Sequence, residues 1–482
     1  MRHTTKLLAL VGVALLVPLA SCNDPLQVSI PDIVQPGQLG DSASLGTVRA
    51  GVLGDFSIAY TGDHPDGSGT NASEGVIMYG GLLADEWINS ETFPTRIEVD
   101  ARTIQVTNAD VDLWYRRMHQ ARNSAEKAAA QFAQFSATDP GHAEMLTLAG
   151  LTYVFLAETW CAGVTISHLN ADGSIAYGMP LTTHQILDTA IARFDAAIAA
   201  TTDPDMTAFA AVAKARALID SGGFAAAGAL AATVPTSFAY IQEHSENTDR
   251  QNNGVFNGNF PDQRYAVADS EGVNGFPFRS VADRRTSFIA PKDPTTGDTL
   301  TGFDGATTLW TQQRYGSRKT PITVATGVEA RLIQAEVALK AGDTLAGGQF
   351  LAQLNDPRTN GNRGYFDPNP FVPTDPTTQP IGALPALTVA DIAPAGGAVK
   401  LLFAERARWL WFTAHRLGDM RRLVRPVAQG GYGLPANGPG GVFPSGPYFK
   451  VNFATYGTDV NFPIPITEKQ NPNFTACLDR NP

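Results

Sequence analysis

The sequence predicts a mainly α-helical fold built from antiparallel helix pairs, and two observations indicate it. Apolar residues recur at three- and four-residue spacing through four successive stretches, about 44–60, 74–90, 110–135 and 141–160. Alanines fall on the apolar stripe of the third stretch, where they would let two helices approach closely. Paired helices of this kind are the unit of tetratricopeptide-type repeats, although the chain has no clean 34-residue self-similarity.

Further helices are predicted along the rest of the chain from the same spacing. They cover residues 183–200, 206–220, 224–231, 325–341, 346–354 and about 389–423. Three irregular regions rich in Gly, Pro, Asn or Asp separate or follow them, at about 234–323, 355–387 and 426–482. The first of these regions carries many aromatic residues, which favours ordered loops over disordered linkers. We therefore expect a single domain over 41–482 with loop-rich insertions.

Composition narrows the class of protein. The chain has 482 residues, of which 43% are hydrophobic and 17% charged, enough for a large folded core. Its formal net charge is -11. Nucleic acid is not an expected partner, because binding to phosphates requires a basic surface.

The N-terminus resembles a bacterial lipoprotein leader. A basic start with Arg2 and Lys6 precedes an apolar run over 7–19, which is too short to span a bilayer. Residues 19–22 read Leu-Ala-Ser-Cys and are similar to the lipobox, in which the cysteine is acylated and becomes the new N-terminus. We predict a signal peptide over 1–21, lipid attachment at Cys22 and a tether over 22–40, so that lipid holds the protein to a membrane.

The chain carries none of the common catalytic or cofactor motifs. It has no His-Glu-x-x-His, Gly-x-Ser-x-Gly, phosphate-binding loop or Cys-x-x-Cys, and its eight histidines are scattered. Adjacent Asp85 and Glu86 are predicted to lie on a solvated helix face and not to form a glycosidase pair. Residues 293–298 have the residue types of calcium ligands without the EF-hand spacing, which predicts a turn. No enzyme activity, metal or other cofactor is expected, and structural calcium has no support.

Two cysteines remain after acylation of Cys22. In an exported protein two spare thiols tend to pair, so Cys161 and Cys477 are predicted to form a disulfide that joins the C-terminal tail to the body. Two separate buried thiols are the alternative.

Residues 401–423 resemble the C-terminal helix signature of the SusD/RagB family of nutrient-binding outer-membrane lipoproteins. Residues 328–336 are similar to an acidic helix of that family, and the Pro-Ile-Pro at 463–465 and Asn-Pro at 471–472 are similar to its closing elements. Trp409, Thr413 and Ala414 depart from the pattern, which usually has Glu, Glu and Gly there. The matching residues of the signature are Glu405, Arg406, Leu410, Phe412, His415, Arg416, Asp419 and Arg422.

The charges of this signature favour a structural role. Glu405 and Arg408 are three residues apart, as are Asp419 and Arg422, so each pair is predicted to join along one helix face. His415 is predicted to be a packed or capping imidazole, because no nucleophile at a recognisable spacing accompanies it.

The resemblance implies a SusD-like fold and a function in binding. Members of the family lie on the outer face of the outer membrane, where they capture glycans or other nutrients and act as a lid over a TonB-dependent transporter. Such a site needs exposed aromatic rings for stacking and polar side chains for hydroxyl groups. The candidates for these roles are Trp87, Asn252, Asn253, Phe256, Trp310 and Tyr315.

Two alternatives stay open at this stage. Each candidate tryptophan could instead anchor a small core, and the asparagines could only form turns. The protein could also be a helical-repeat scaffold lipoprotein that binds peptide or other non-glycan cargo.

Overall fold

A computed structural model of the chain describes residues 40–63, 73–170, 172–361, 383–450 and 454–481. The predicted signal peptide, Cys22 and nearly all of the tether lie outside these residues. Among the described residues, no helix combines the length and apolar character needed to cross a membrane.

The structure confirms the mainly helical fold. The helices of the described residues are α1 (Leu45–Thr61), α2 (Val76–Leu83), α3 (Pro94–Asp100), α4 (Ala109–Phe135), α5 (Pro140–Thr159), α6 (Thr183–Ala200), α7 (Pro204–Asp220), α8 (Phe224–Ala231), α9 (Gly254–Asn259), α10 (Gly327–Lys340), α11 (Gln349–Asn360), α12 (Ala398–Trp409) and α13 (Arg416–Val424).

Short strands occur between the helices, and those described form two-stranded antiparallel pairs. They are β1 (Gly62–Asp63) with β2 (Ser73–Glu74), β3 (Trp87–Asn89) with β9 (Tyr265–Val267), β4 (Val164–Thr165) with β7 (Pro180–Leu181), β5 (His168–Leu169) with β6 (Ile175–Ala176), β8 (Ala239–Gln242) with β12 (Ile322–Thr326), and β10 (Phe288–Ile289) with β11 (Thr311–Gln312).

Consecutive helices pack as antiparallel pairs, most extensively α4 with α5 and α5 with α6. The predicted stripe of α4 is buried, including Trp114 and Ala121. Gly150 of α5 faces Phe194 of α6 so closely that an added Cβ would lie 2.4 Å from the phenyl ring. Small residues therefore set the spacing between these helices.

Helix ends follow their capping residues. α6 begins at Thr183 because Thr182 and Gln185 form a reciprocal capping box. α5 begins with Pro140 after Asp139, whose carboxylate accepts a hydrogen bond from the Gly141 amide. The predicted ranges 183–200 and 224–231 match the observed helices.

Two predicted helices are shorter or broken. The prediction of a helix over 74–90 is wrong beyond Leu83, because residues 87–89 pair with β9 instead. The predicted helix over 389–423 is also interrupted, by Gly396 and Gly397 with φ of 84° and 110° and by the segment 410–415. Within that segment Phe412 and Ala414 have φ of 54° and 62°, which no α-helix accommodates.

A group of buried charges on α12 and α13 joins the helical body. We call the charged residues of 405–422, with the groups that they contact, the ion-pair hub. Arg422 contacts Asp220 of α7 at 2.8 Å and Glu336 of α10 at 3.1 Å. The predicted pair between Asp419 and Arg422 is confirmed at 2.8 Å. Burial would raise the pKa of Asp419, but the guanidinium groups of Arg406 and Arg422 outweigh burial and hold it well below its usual range.

The other predicted pair along this segment does not form. Glu405 instead contacts Arg285 at 2.7 Å and Arg358 at 2.8 Å, whereas Arg408 contacts Asp283 at 3.3 Å. Glu405 is 2% exposed, and a carboxylate so deeply buried needs cationic partners. Arg285 and Arg358 supply them. The hub therefore reaches into the loop region as well as the helices.

His415 is a packed imidazole, as expected. Its Nε2 lies 3.0 Å from both Arg216 Nη1 and Glu329 Oε1, and its Nδ1 lies 2.9 Å from the Thr413 hydroxyl. Burial, together with the charge of Arg216, lowers its pKa. Arg216 also forms a two-bond ion pair with Glu158, with distances of 2.7 and 2.6 Å.

The expectation that Asp85 and Glu86 are solvated is wrong, since both are 1% exposed. Asp85 accepts two hydrogen bonds from Arg416, of 2.6 and 2.7 Å. Glu86 accepts a 2.9 Å bond from the Phe412 amide. Burial raises the pKa of Glu86 to about 8. These two side chains fasten the segment before β3 to the hub.

A disulfide between Cys161 and Cys477 joins the C-terminal tail to the end of α5, with a Cα–Cα distance of 5.7 Å. The tail also pairs with the backbone there: the Cys161 amide donates to Phe462 O, and the Leu478 amide donates to Ala162 O. The covalent and hydrogen-bonded attachments lie side by side.

Replacing both Cys161 and Cys477 with alanine is expected to lower the free energy of unfolding by up to about 5 kcal/mol, because the disulfide closes a long loop in the unfolded chain. Limited proteolysis is expected to release peptides from 474–481 before the rest of the protein is cut. Equal denaturation midpoints for the variant and the oxidised wild type would contradict this.

Glu86→Gln is expected to remove a pH dependence of stability. Because the pKa of Glu86 rises from about 4.3 in the unfolded chain to about 8 on folding, its contribution is complete at acid pH and is lost as pH rises through that window. The wild type should lose up to about 1.4 kcal/mol per pH unit there through this group, whereas the variant should not.

Urea denaturation between pH 4.5 and 8.5 measures this difference, with the exposed Glu246→Gln as the control. A slope in Glu86→Gln that equals that of the wild type would show that Glu86 is already ionised in the folded protein.

Candidate functional site

The sequence-predicted aromatic residues Trp87 and Tyr315 lie in the core and are each 1% exposed. Trp87 stacks on Phe412, which lies in the segment between α12 and α13, with ring centroids 3.8 Å apart. Tyr315 donates a 2.9 Å hydrogen bond from its hydroxyl to Phe412 O. Their large rings fill the contact between the loop region and the hub, so the structure does not place them where a ligand could stack.

The candidates on the 252–256 segment also have structural roles. Asn253 is fully buried, accepts a bond from the Phe256 amide as the N-cap of α9, and donates to Thr320 O at 2.7 Å. Asn252 is buried beside it. The Phe256 ring is half-buried and packs against Phe260, with ring centroids 6.0 Å apart. Because Asn253 caps α9, the Asn252-Asn253 pair lies at a turn before the helix.

Trp310 is half-buried on the outer side of the β3–β9 pair. It packs against Ile88, Ala266 and Ala268, while the Arg279 guanidinium lies 4.5 Å from the centroid of its ring. Because Arg279 and the small apolar residues occupy its surroundings, Trp310 covers the strand pair and offers little free ring surface.

Phe93 and Phe303 are exposed aromatic residues that the sequence reasoning did not select. Their side chains are 43% and 57% exposed, and their rings lie 6.2 Å apart with planes 27° from parallel. We call these two residues the aromatic platform. Neighbouring exposed apolar side chains can form part of a binding surface.

The backbone beneath the platform is fixed by several hydrogen bonds. The Phe303 amide donates to Gln263 O at 3.0 Å, and the next amide, that of Asp304, donates to Ser90 O at 3.0 Å. Gly302 is required for this contact, since an added Cβ would lie 2.3 Å from Ser90 Cβ. The platform therefore presents its two rings from a rigid support.

Paired charges surround the platform. Arg96 and Arg264 lie 5.9 and 5.6 Å from the Phe93 ring centroid. Arg96 contacts Glu74 at 2.6 Å and Glu91 at 3.1 Å. Arg264 contacts Glu91 at 3.5 Å and Asp262 at 3.8 Å.

Lys450 connects a separate loop to this place. Its Nζ donates to Glu91 O at 2.5 Å and to Asp304 Oδ2 at 2.9 Å. The preceding residue, Phe449, is 43% exposed, and the centroid of its ring lies 5.8 Å from Lys450 Nζ. Three loops that are distant in sequence thus meet at one surface.

A weak sequence signal was present for Phe303. It stands between Gly302 and the Asp304-Gly305 pair, and an apolar ring at a turn tip cannot join a helical or strand stripe. No comparable sequence signal marks Phe93, because its partner Phe303 lies more than 200 residues away in the chain.

The described residues contain no group of three or more His, Cys, Asp or Glu arranged to hold a metal ion. Residues 293–298 form a turn, in which the Asp293 carboxylate accepts bonds from the Thr295 and Thr296 amides at 2.7 and 2.9 Å. This confirms the prediction made for that segment.

Solved structures resemble the chain over most of its length. A laminarin-binding SusD-like protein has a TM-score of 0.59 at 12% identity, covering 91% of this chain and 99% of its own. Surface glycan-binding protein A from Bacteroides uniformis has a TM-score of 0.58 at 11% identity, covering 90% and 99%. A SusD-like carbohydrate-binding protein from Bacteroides vulgatus has a TM-score of 0.56 at 13% identity, covering 90% and 97%.

No protein-family model and no curated protein sequence matches the chain. The shared architecture extends nearly from end to end of these neighbours and agrees with the resemblance that residues 401–423 carry. The chain therefore has the SusD-like fold.

Proposed function

We propose that the protein is a cell-surface lipoprotein that binds glycans at the aromatic platform. The single observation that carries this proposal is the pair of exposed rings of Phe93 and Phe303 on a rigid backbone. A sugar ring has an apolar face, which stacks on such a surface, and hydroxyl groups, which need polar partners at the rim. Asp304 and Lys450 supply those partners beside the rings.

Binding without chemistry fits the rest of the site. The acidic and basic groups nearest to the platform hold each other in ion pairs, as Arg96, Glu91 and Arg264 do. A general acid or base would instead need to reach the substrate with its proton. The named neighbours are binding proteins, which supports the same reading.

The proposed location and partner rest on the sequence and on the fold. The lipobox-like residues around Cys22 support attachment to the outer membrane by lipid. The SusD-like fold supports delivery of the captured oligosaccharide to a TonB-dependent outer-membrane transporter. Co-purification of the full chain with a TonB-dependent transporter from the same organism tests this partnership.

Replacing either platform ring, in Phe93→Ala or Phe303→Ala, is expected to weaken glycan binding about tenfold, because each removes roughly 1.5 kcal/mol of ring contact. Affinity electrophoresis of the protein expressed from Asn23 onward, in gels containing laminarin, starch, xylan, mannan or pectin, measures the effect. Thermal unfolding should change little, since both rings are exposed.

Tyr177→Ala is the matched control. Its ring is 44% exposed, close to that of Phe93, but it lies on the loop after β6 and outside the platform. Retardation that survives both platform substitutions but is lost in Tyr177→Ala would place the glycan site elsewhere. Uniform mobility of the wild type in every gel would argue for non-glycan cargo.

A further inference from the structure

We infer that the platform selects uncharged glycans and excludes polymers of uronic acids or sulfated sugars. This inference rests on the proposed function and names the substrate class of the same site. It follows from the juxtaposition of the two exposed rings with cations that are each already neutralised by a carboxylate.

The cations that lie nearest to the platform have acidic partners. Lys450 contacts Asp304 at 2.9 Å, Arg264 contacts Glu91 and Asp262, and Arg96 contacts Glu74 and Glu91. Arg96 also contacts Asp110, at 3.6 Å, so the three cations contact five carboxylates. An anionic sugar would have to break one of these pairs to gain a cationic partner, and it would leave the displaced carboxylate behind.

The segment that carries Phe303 has a net negative charge, as an acidic polysaccharide does. The chain from 291 to 309, which carries that ring, contains Lys292 as its one basic residue against Asp293, Asp298 and Asp304. The whole protein carries a formal charge of -11. Both the local and the overall field therefore repel a polyanion during approach.

The chemistry of the two phenylalanine rings also favours uncharged sugars. Phe93 and Phe303 have no polar atom on the side chain, so what they recognise is the apolar face of a sugar ring. A carboxylate or sulfate held over this surface would lose hydration without gaining a hydrogen bond from the platform. Hydroxyl groups, in contrast, can share Asp304 and Lys450 without disrupting their pair.

Affinity electrophoresis in paired gels tests the inference. The neutral gels contain laminarin or starch, and the acidic gels contain polygalacturonate or heparin. We expect retardation in a neutral gel at least tenfold stronger than in either acidic gel, and no change between 50 and 300 mM NaCl. Retardation by polygalacturonate or heparin that weakens with salt would overturn the inference while leaving a glycan-binding function in place. Uniform mobility in all four gels would overturn the proposed function itself.

A charge variant tests the cause. Asp304→Asn removes the carboxylate paired with Lys450, whereas its Oδ1 can still accept the Ala306 and Thr307 amide bonds that shape the turn. We expect its affinity for polygalacturonate to rise at least threefold. Asp298→Asn, in the same 291–309 segment but without a contact to Lys450, should raise polygalacturonate affinity less than Asp304→Asn does. Equal polygalacturonate affinity in the wild type and Asp304→Asn would overturn the role given to this pair.

Discussion

The ion-pair hub is the constraint on which the rest of this structure depends. Arg422, Asp419 and Arg406 lie almost wholly out of water, and each needs its partners because an unpaired buried charge costs about 3 to 5 kcal/mol. Their partners come from helices far apart in the chain, such as Asp220 on α7 and Glu336 on α10. The arrangement of α7, α10 and α13 is therefore fixed by charge as well as by apolar packing.

The same hub also orients the loop region that carries the candidate site. Arg416 holds Asp85, the Phe412 amide holds Glu86, and the Phe412 ring stacks on Trp87. These contacts set the start of β3, whose continuation through Ser90 supports the loop of Phe303 and leads to Phe93. A rigid interior thus presents two exposed rings at the surface, as binding by stacking requires.

Much of the helical body could be predicted from the sequence because its signals are local. Thr182 and Gln185 mark the start of α6 within four residues, and the Leu401–Leu423 signature pointed to the SusD-like fold. The site could not be predicted in this way. Trp87 and Tyr315 look like ligand-stacking residues until their partner Phe412, reached only through the fold, buries them. Asp85 and Arg416 are 331 residues apart in the sequence, and no rule based on residue spacing predicts such an ion pair.

Hydrogen–deuterium exchange on two hub variants tests most directly whether the hub positions the platform. Asp85→Ala removes the link to the loop region, and Asp220→Ala removes the link to α7. The account predicts that Asp85→Ala speeds exchange in peptides covering 85–93 and 300–304 while α7 keeps its protection, and that Asp220→Ala does the reverse. If the amides of 85–93 and 300–304 exchange as slowly in Asp85→Ala as in the wild type, the account is contradicted.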